Sequence, residues 1–137
     1  MSGRLELVNP AALGAPKGYS NGVVAPAGSR LLFVAGQVGW DAEQRLVPGG
    51  FVAQFEQALA NVLAVVGAAG GRAEQIVRLT FFVKDRDAYR GSLSDVGAAY
   101  RRQMGRHFPA MSLVEVADLL EDGALVEVEA TAALAPE

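Results

Sequence analysis

The segment "VEVEATA" (126–132) has two carboxylates on one side of a predicted strand. Because side chains alternate along a strand, Glu127 and Glu129 share a face, with their Cα atoms roughly 6.5 Å apart. A carboxylate at a desolvated cleft can move a proton between water and a reacting group. Two acids on one strand face are also typical of an ion pair or a solvated surface, and the residues alone leave both interpretations open.

The glycine-rich segment "KGYSNG" (17–22) offers a hydroxyl and a cation. Tyr19 is a candidate site residue; alternatively, its ring packs at a subunit interface while its hydroxyl meets a backbone carbonyl. Lys17 is a candidate for binding an anion, or a solvated side chain. The one histidine, His107, stands before Phe108-Pro109 in a predicted turn. No residue beside it would orient it as a general base, so we expect a partly exposed loop residue.

The composition excludes several kinds of chemistry. Cysteine is absent, which rules out disulfides, thiolate metal sites and cysteine nucleophiles. With a single histidine, a metal ion would depend almost wholly on carboxylates, so we expect neither a metal nor a cofactor. The 12 basic residues are scattered along the chain and the net charge is -3, which disfavours binding to nucleic acid.

Length and hydropathy predict one domain spanning residues 1–137. The chain has 137 residues, 51% of them apolar, which suits a single hydrophobic core. No apolar run approaches the roughly 18 residues of a membrane span, and the start, "MSGRLELVNP", lacks the apolar core of a signal peptide. We therefore expect a cytoplasmic protein that does not bind membranes.

Hydrophobic spacing predicts two helices and six strands, which position these residues. The first helix, 51–69, has an apolar stripe at spacings of three and four, and its polar residues off that stripe are Gln54, Gln57 and Asn61. The second helix, 86–103, has a stripe formed by Tyr89, Leu93, Val96 and Tyr100. The strands are predicted at 5–8, 22–24, 31–36, 76–83, 112–117 and 125–132.

The strand at 76–83 has apolar residues on both faces. Two helices cover one side of a sheet of this size, so Ile76 and Phe82 are expected to face outward on the other side with Arg78. An exposed apolar sheet face usually marks a subunit interface. We therefore predict an oligomer with ligand clefts where subunits meet.

Six segments in order resemble the RidA/YjgF family, also called endoribonuclease L-PSP or translation-inhibitor-like proteins. They are "GYSNGVV" (18–24), "LLFVAGQVGWD" (31–41), "ALANVLAVVGAAGG" (58–71), "IVRLTFFVKDRDAY" (76–89), "FPAMSLVEV" (108–116) and "VEVEATA" (126–132). The resemblance implies an α+β, chorismate-mutase-like fold of order β-β-β-α-β-α-β-β. In that fold a mixed sheet has two helices on one face, and three chains assemble into a barrel.

The resemblance also implies a homotrimer that binds a small molecule in clefts between subunits. Its best-known members hydrolyse reactive enamines and imines to 2-oxo acids and ammonia. Tyr19 matches the site tyrosine of those deaminases, and Glu127 matches the carboxylate that orients water. Gly36-Gln37 matches a recurrent element whose amide can bond a ligand or a neighbouring subunit.

One strand departs from the family pattern. The active deaminases read Pro-Ala-Arg-Ser-Cys-Val-Glu-Val there, and the arginine binds the substrate carboxylate through paired hydrogen bonds. This chain has Met111, Ser112 and Leu113 at the Arg-Ser-Cys positions. A thioether has no donor, and a buried unpaired carboxylate costs several kcal/mol.

The predicted ligand site therefore has a more apolar wall, suited to an aromatic ligand or one whose carboxylate is masked or distant. Its predicted ligand-binding residues are Lys17, Gln37, Met111, Ser112 and Leu113. Lys17 or Arg78 is a candidate replacement cation, and Met111 as core filler is the structural alternative. Trp40-Asp41 either lines a pocket or covers the end of the barrel.

Three functions remain open. The first is a deaminase for a nonstandard, more apolar or aromatic-pathway enamine or imine. The second is a non-catalytic protein that binds or senses a small metabolite in the same cleft. The third is the ribonuclease or translation inhibitor of the older family description, which the acidic net charge disfavours.

Overall fold

The computed structural model describes residues 3–137 of the chain. Its strands are β1 (Glu6–Val8), β2 (Gly22–Val24), β3 (Arg30–Val38), β4 (Ile76–Val83), β5 (Ala110–Glu115) and β6 (Val126–Leu134). Its α-helices are α1 (Gly50–Ala68), α2 (Arg86–Arg90) and α3 (Leu93–Met104). The α+β class and the strand order along the chain are confirmed.

The strands form a two-stranded antiparallel pair, β1-β2, and a four-stranded mixed sheet ordered β3-β6-β4-β5. Strands β4 and β5 run parallel because the crossover through α2 and α3 joins them, whereas β6 is antiparallel to both β3 and β4. The central strands β4 and β6 are therefore flanked on both sides. Strands β3 and β5 are the edges of this sheet.

The core lies between one face of the four-stranded sheet and the helices. Helix α1 packs against β3 and β6, and α3 packs against α1. Phe55 and Leu59 of α1 are buried with Leu79 of β4 and Val128 of β6 in one cluster. The amphipathic stripe predicted for α1 is thus the face that meets the sheet.

The second predicted helix is two helices, which corrects the prediction of one helix over 86–103. Helix α2 ends at Arg90, and Ser92 begins α3 with a non-helical backbone (φ -126°, ψ 22°). Glycine at position 91 disfavours a continuous helix because it loses the most conformational freedom there. The break turns Leu93 out of the core stripe, so that the residue is 55% exposed.

Gln54 corrects the predicted polar face of α1, because it is buried at 6% exposure. Its Nε2 donates to the carbonyl of Gly123 at 3.2 Å, and its Oε1 accepts from the N–H of Leu125 at 2.8 Å. Both hydrogen-bonding atoms are therefore satisfied, which removes the penalty for burying the amide. The residue ties α1 to the start of β6.

The prediction that Ile76 of β4 faces outward was wrong, because Ile76 is fully buried. The pairing of β4 with β6 shifts between Ile76 and Arg78, and an irregularity of this kind changes the face to which the following side chains point. The outer face is nevertheless apolar: Phe33 is 73% exposed, Leu31 58% and Val114 43%.

Helix α1 is long and apolar enough to cross a membrane by length and composition alone, so the prediction that no run approaches that length was wrong. Its apolar stripe, however, packs against the sheet. On its other side Glu56 pairs with Arg102, with Arg102 Nη2 2.7 Å from Glu56 Oε1. We interpret α1 as the core helix of a folded domain.

Candidate active site

An aromatic cavity of about 530 Å³ lies between β5 and α3. Its apolar walls are formed by Phe55, Phe81, Tyr89, Leu93, Val96, Tyr100, Phe108, Met111 and Leu113. Its remaining lining residues are Lys17, Gly18, Tyr19, Gly97 and Arg101. The volume is in the range typical of small-molecule sites, roughly 300 to 1,000 Å³.

Strand β5 places Met111 and Leu113 on the wall of this cavity. In the parallel pairing with β4, Met111 lies opposite Leu79 and Leu113 opposite Phe81, both buried under the helices. Because side chains alternate along the strand, Ser112 points to the opposite face. There its Oγ accepts from Arg78 Nη2 at 3.4 Å.

The loop before β2 places Tyr19 and Lys17 at the mouth of the cavity. Gly18 has a left-handed backbone (φ 76°), which turns the chain so that Tyr19 faces the cavity. Ser20 holds this loop against the entry to β5: its hydroxyl donates to the carbonyl of Phe108 at 2.6 Å, and its N–H donates to the carbonyl of Pro109 at 3.0 Å. Tyr19 remains 39% exposed.

Glu127 lies on the other face of the sheet. It pairs with Phe82 of β4, three residues along from the inward-facing Leu79. Its carboxylate lies directly over Gly36, where any side chain would collide with it. Glu129 shares this face and is exposed. The predicted common face of the two carboxylates agrees with this geometry.

Gln37 follows Gly36 and lies outside the aromatic cavity. Its Nε2 donates to the carbonyl of Ala35 at 3.0 Å, within its own strand. That bond is local and joins Gln37 to no other element of the fold. In the pairing of β3 with β6, Gln37 follows the bulge after Val34 and lies opposite Val128, whereas Val38 lies opposite Glu127.

The predicted site residues thus fall into two groups within one chain. Lys17, Tyr19, Met111 and Leu113 meet in the aromatic cavity. Glu127, with Gly36, and Ser112, with Arg78, occupy the opposite sheet face, while Gln37 pairs with the buried Val128 and belongs to neither group. No Asp or Glu is among the residues that line the cavity in the described part of the chain.

Arg101 lines the cavity and was not among the predicted residues. Its guanidinium lies over Gly97, with Nη1 3.3 Å from the position that a Cβ atom on Gly97 would occupy. Leu93, Gly97 and Arg101 recur every four residues, which places them on one stripe of α3, and all three line the cavity. That spacing, with a glycine between an apolar residue and a cation, was the available signal.

Arg78 is separated from the aromatic cavity by the sheet, whereas Lys17 is at its mouth. Of the two candidate replacement cations, only Lys17 is placed to meet a ligand in this cavity. Trp40 lies outside the cavity, where its carbonyl accepts from Asn61 Nδ2 at 2.9 Å.

Tyr100, in the cavity wall, and His107, outside it, are both held by backbone carbonyls. The hydroxyl of Tyr100 donates to the carbonyl of His107 at 2.6 Å, and burial raises the pKa of Tyr100 above its usual range. His107 Nε2 is 2.7 Å from the carbonyl of Ile76, so a structural contact orients this ring. Within residues 3–137, no group of three or more His, Asp or Glu side chains could hold a metal ion.

Comparison with known proteins assigns a family. The model of the family described as Endoribonuclease L-PSP matches residues 9–134. The RutC family protein UK114 of Drosophila melanogaster is 38% identical over 115 residues, 83% of this chain and 78% of that protein. The Escherichia coli K12 protein named 2-iminobutanoate/2-iminopropanoate deaminase is 37% identical over 126 residues, 90% of each chain.

A solved structure supports the same assignment. The Rid family protein YyfB of Yersinia pestis superposes with a TM-score of 0.84 at 32% identity, covering 96% of this chain and 99% of that one. The fold is therefore the chorismate-mutase-like α+β fold that the resemblance implied. The matched family model, the curated relatives and the shared fold together establish that this chain belongs to the RidA/YjgF family.

Proposed function

We propose that this protein is an enamine or imine deaminase whose substrate is more apolar than a short 2-imino acid and carries an aromatic or extended alkyl group. One observation carries the proposal: Met111 and Leu113 form the wall of a cavity that also holds Tyr19. Aromatic side chains dominate the rest of that wall. The relative named as a 2-iminobutanoate/2-iminopropanoate deaminase supports the reaction class.

The proposed chemistry is hydrolysis of a C=N bond. Water adds to the imine carbon while its proton passes through a carboxylate to the nitrogen. The resulting carbinolamine then loses ammonia as its hydroxyl becomes the C=O group of the product. Glu127 would accept the proton from water and return it to the nitrogen, a role for a positioned carboxylate that contributes about 10² to 10⁴-fold in rate.

This mechanism requires two chains, because Glu127 and the aromatic cavity lie on opposite faces of one sheet. We propose a homotrimer in which the cavity of one subunit is completed by Glu127 and Gly36 of its neighbour. The exposed outer-face residues Leu31, Phe33 and Val114 supply the apolar contact surface that such an assembly buries. Each site then contains Tyr19 from one chain and Glu127 from another.

The size of the cavity supports a larger substrate. A four-carbon imino acid would leave most of the 530 Å³ unfilled and would find no donor at Met111. An aromatic ring would pack on Phe108 and Tyr100, whose rings stack with centroids 5.3 Å apart. We further propose that the protein acts in the cytoplasm without a metal or cofactor.

A second candidate is a non-catalytic binding protein that uses the same cavity. It is favoured by the absence of any carboxylate from the cavity lining of residues 3–137. A protein that works as single chains would bind a metabolite there without hydrolysing it. The ribonuclease described for the family has no such support, since the chain is acidic overall.

The deciding experiment is ammonia release from imines generated in place by an amino acid oxidase, from phenylalanine, leucine and 2-aminobutyrate. We expect acceleration for the two larger imines over the spontaneous rate. Wild-type protein is compared with Glu127→Gln, and with Glu129→Gln as the control on the same strand face. Acceleration of none of the imines, with saturable binding of their oxo-acid products, would establish the binding protein instead.

A further inference from the structure

We propose that the aromatic cavity binds an organic anion through Arg101 and Lys17 at its mouth, while the apolar body of the ligand fills the interior. Both cations line the cavity, and both are exposed. The buried part of the lining, the floor of the cavity, includes Phe55 and Phe81, at 2% and 3% exposure. This inference rests on the proposed function, and it names the class of ligand as arylalkyl or long alkyl acids.

The residues that line the cavity carry a net positive charge. Two cations and no carboxylate line it among the described residues, although the chain as a whole has a net charge of -3. In residues 3–137 the ion pairs join Arg30 to Glu137, Lys84 to Asp118 and Arg102 to Glu56. Neither Lys17 nor Arg101 takes part in one. The mouth of the cavity is therefore a local positive region that attracts anions.

Arg101 and its neighbour Arg102 point in different directions, and only Arg102 pairs with a carboxylate. Arg102 points to α1, where its Nε and Nη2 donate to the two carboxylate oxygens of Glu56 at 2.9 Å and 2.7 Å. Arg101 points instead toward the cavity, over Gly97. The missing side chain at Gly97 leaves the guanidinium room to lie along α3 beside the cavity. Its planar set of donors suits a carboxylate.

The aromatic interior of the cavity favours a ligand whose carboxylate is attached to an apolar group. Phe55 and Phe81 stack with ring centroids 5.4 Å apart and an interplanar angle of 15°, and both line the cavity. Met111 and Leu113 add flexible and branched apolar surface without donors. A ligand that reaches from Arg101 to this floor needs an apolar group several bonds from its carboxylate. Short oxo acids have no such group.

The proposed ligand binds in the reverse of the orientation that a cation at position 111 would impose. A cation at position 111 would hold the ligand carboxylate at β5, whereas Arg101 and Lys17 hold it at α3 and the loop before β2. The specificity of this chain is thus assigned to a positively charged mouth and an apolar strand wall.

The test is calorimetric binding to the full chain, with no imine present. The probes are 3-phenylpropanoate, its neutral amide 3-phenylpropanamide, and 2-oxobutanoate. The variants are Arg101→Gln, Lys17→Gln and the double variant. The control is Arg106→Gln, an exposed arginine that is absent from the cavity lining.

We expect 3-phenylpropanoate to bind more tightly than the amide and 2-oxobutanoate. Arg101→Gln should weaken the acid about fivefold, the upper range for an exposed ion pair, and the double variant more than about tenfold. Binding of the amide should change less than about twofold, and Arg106→Gln should change neither. Salt should weaken only the acid.

Three results would overturn the proposal: no binding of the acid by wild-type protein, equal binding of the acid by wild type and Arg101→Gln, or an equal loss in Arg106→Gln. Failure of the deaminase proposal is a separate result, because ammonia release plays no part in this assay. Binding that depends on Arg101 without ammonia release would leave the anion site standing and remove the deaminase.

Discussion

Met111 and Glu127 lie on opposite faces of the same four-stranded sheet. Met111 pairs with Leu79, which is buried under the helices, and Glu127 pairs with Phe82, three residues further along β4. Residues paired across neighbouring strands point to the same face, so no ligand can touch both side chains of one chain. Any reaction that uses both the aromatic cavity and Glu127 is a reaction between subunits.

Mixing two inactive variants should restore activity. In the proposed homotrimer, Tyr19→Phe disables one half of each site and Glu127→Gln the other. A trimer that contains both variants then has an interface with wild-type residues on both sides. We expect little ammonia release from either variant alone and clear release after the two are unfolded and refolded together. Mixing two batches of Glu127→Gln is the control. If the mixture is as inactive as its parts, the site does not combine two chains.

Glu127→Gln should lower the turnover number by about 10² to 10⁴-fold, the range for loss of a general acid–base group. The amide keeps the size of the side chain and removes its ability to accept a proton. Glu129→Gln removes the neighbouring charge on the same face and should leave turnover within about twofold. Single-turnover kinetics with a generated imine measure both. Equal losses would indicate a general effect of charge at this face.

Gly36→Ala should displace the carboxylate of Glu127, because a Cβ atom there would collide with Glu127 Oε2. We expect turnover to fall as in Glu127→Gln, with a small loss of thermal stability. Gly67→Ala on α1 is the control, since a Cβ atom there meets nothing within 4 Å and alanine favours the helix. Unchanged turnover in Gly36→Ala would show that the position of this carboxylate is unimportant.

Met111→Arg should tighten the binding of 2-oxobutanoate by about 10 to 100-fold, the gain expected of hydrogen bonds to a charged group. It should weaken 3-phenylpropanoate by filling the cavity with a hydrated cation. Met111→Leu keeps the volume and should change neither affinity greatly. Calorimetry measures both ligands. A Met111→Arg protein that still prefers the aromatic acid would show that position 111 does not set specificity.

Tyr100→Phe should lower the free energy of unfolding by about 1 to 3 kcal/mol, because the carbonyl of His107 loses its donor. Burial raises the pKa of Tyr100 above its unfolded value of 10.0, so the folded state holds this proton more tightly. The stabilisation is therefore fully present below pH 10 and is lost as the pH rises above it. Urea unfolding at pH 7 and above pH 10 should show a weaker alkaline loss in Tyr100→Phe. Tyr89→Phe, also at the cavity, is the control.

The elements with strong periodicity were predictable. Strands β2 and β4 begin and end where the sequence placed them, and α1 lies within one residue of its prediction. The break at Gly91-Ser92 was missed because the apolar spacing continues across it. Gln54 was assigned to the wrong side because a buried amide depends on Gly123 and Leu125, 69 and 71 residues away.

The sequence by itself determined the family, the order of helices and strands, and the replacement of the family arginine by Met111. Each of these depends only on residue types and on their spacing along the chain. It also placed Glu127 and Glu129 on one strand face, since alternation along a strand is a local rule. Only the tertiary structure separated Glu127 from the cavity and brought Arg101 to its mouth. Those relations depend on the pairing of β4 with its neighbours and on the packing of α3 against α1, and both are set by contacts between residues far apart in the chain.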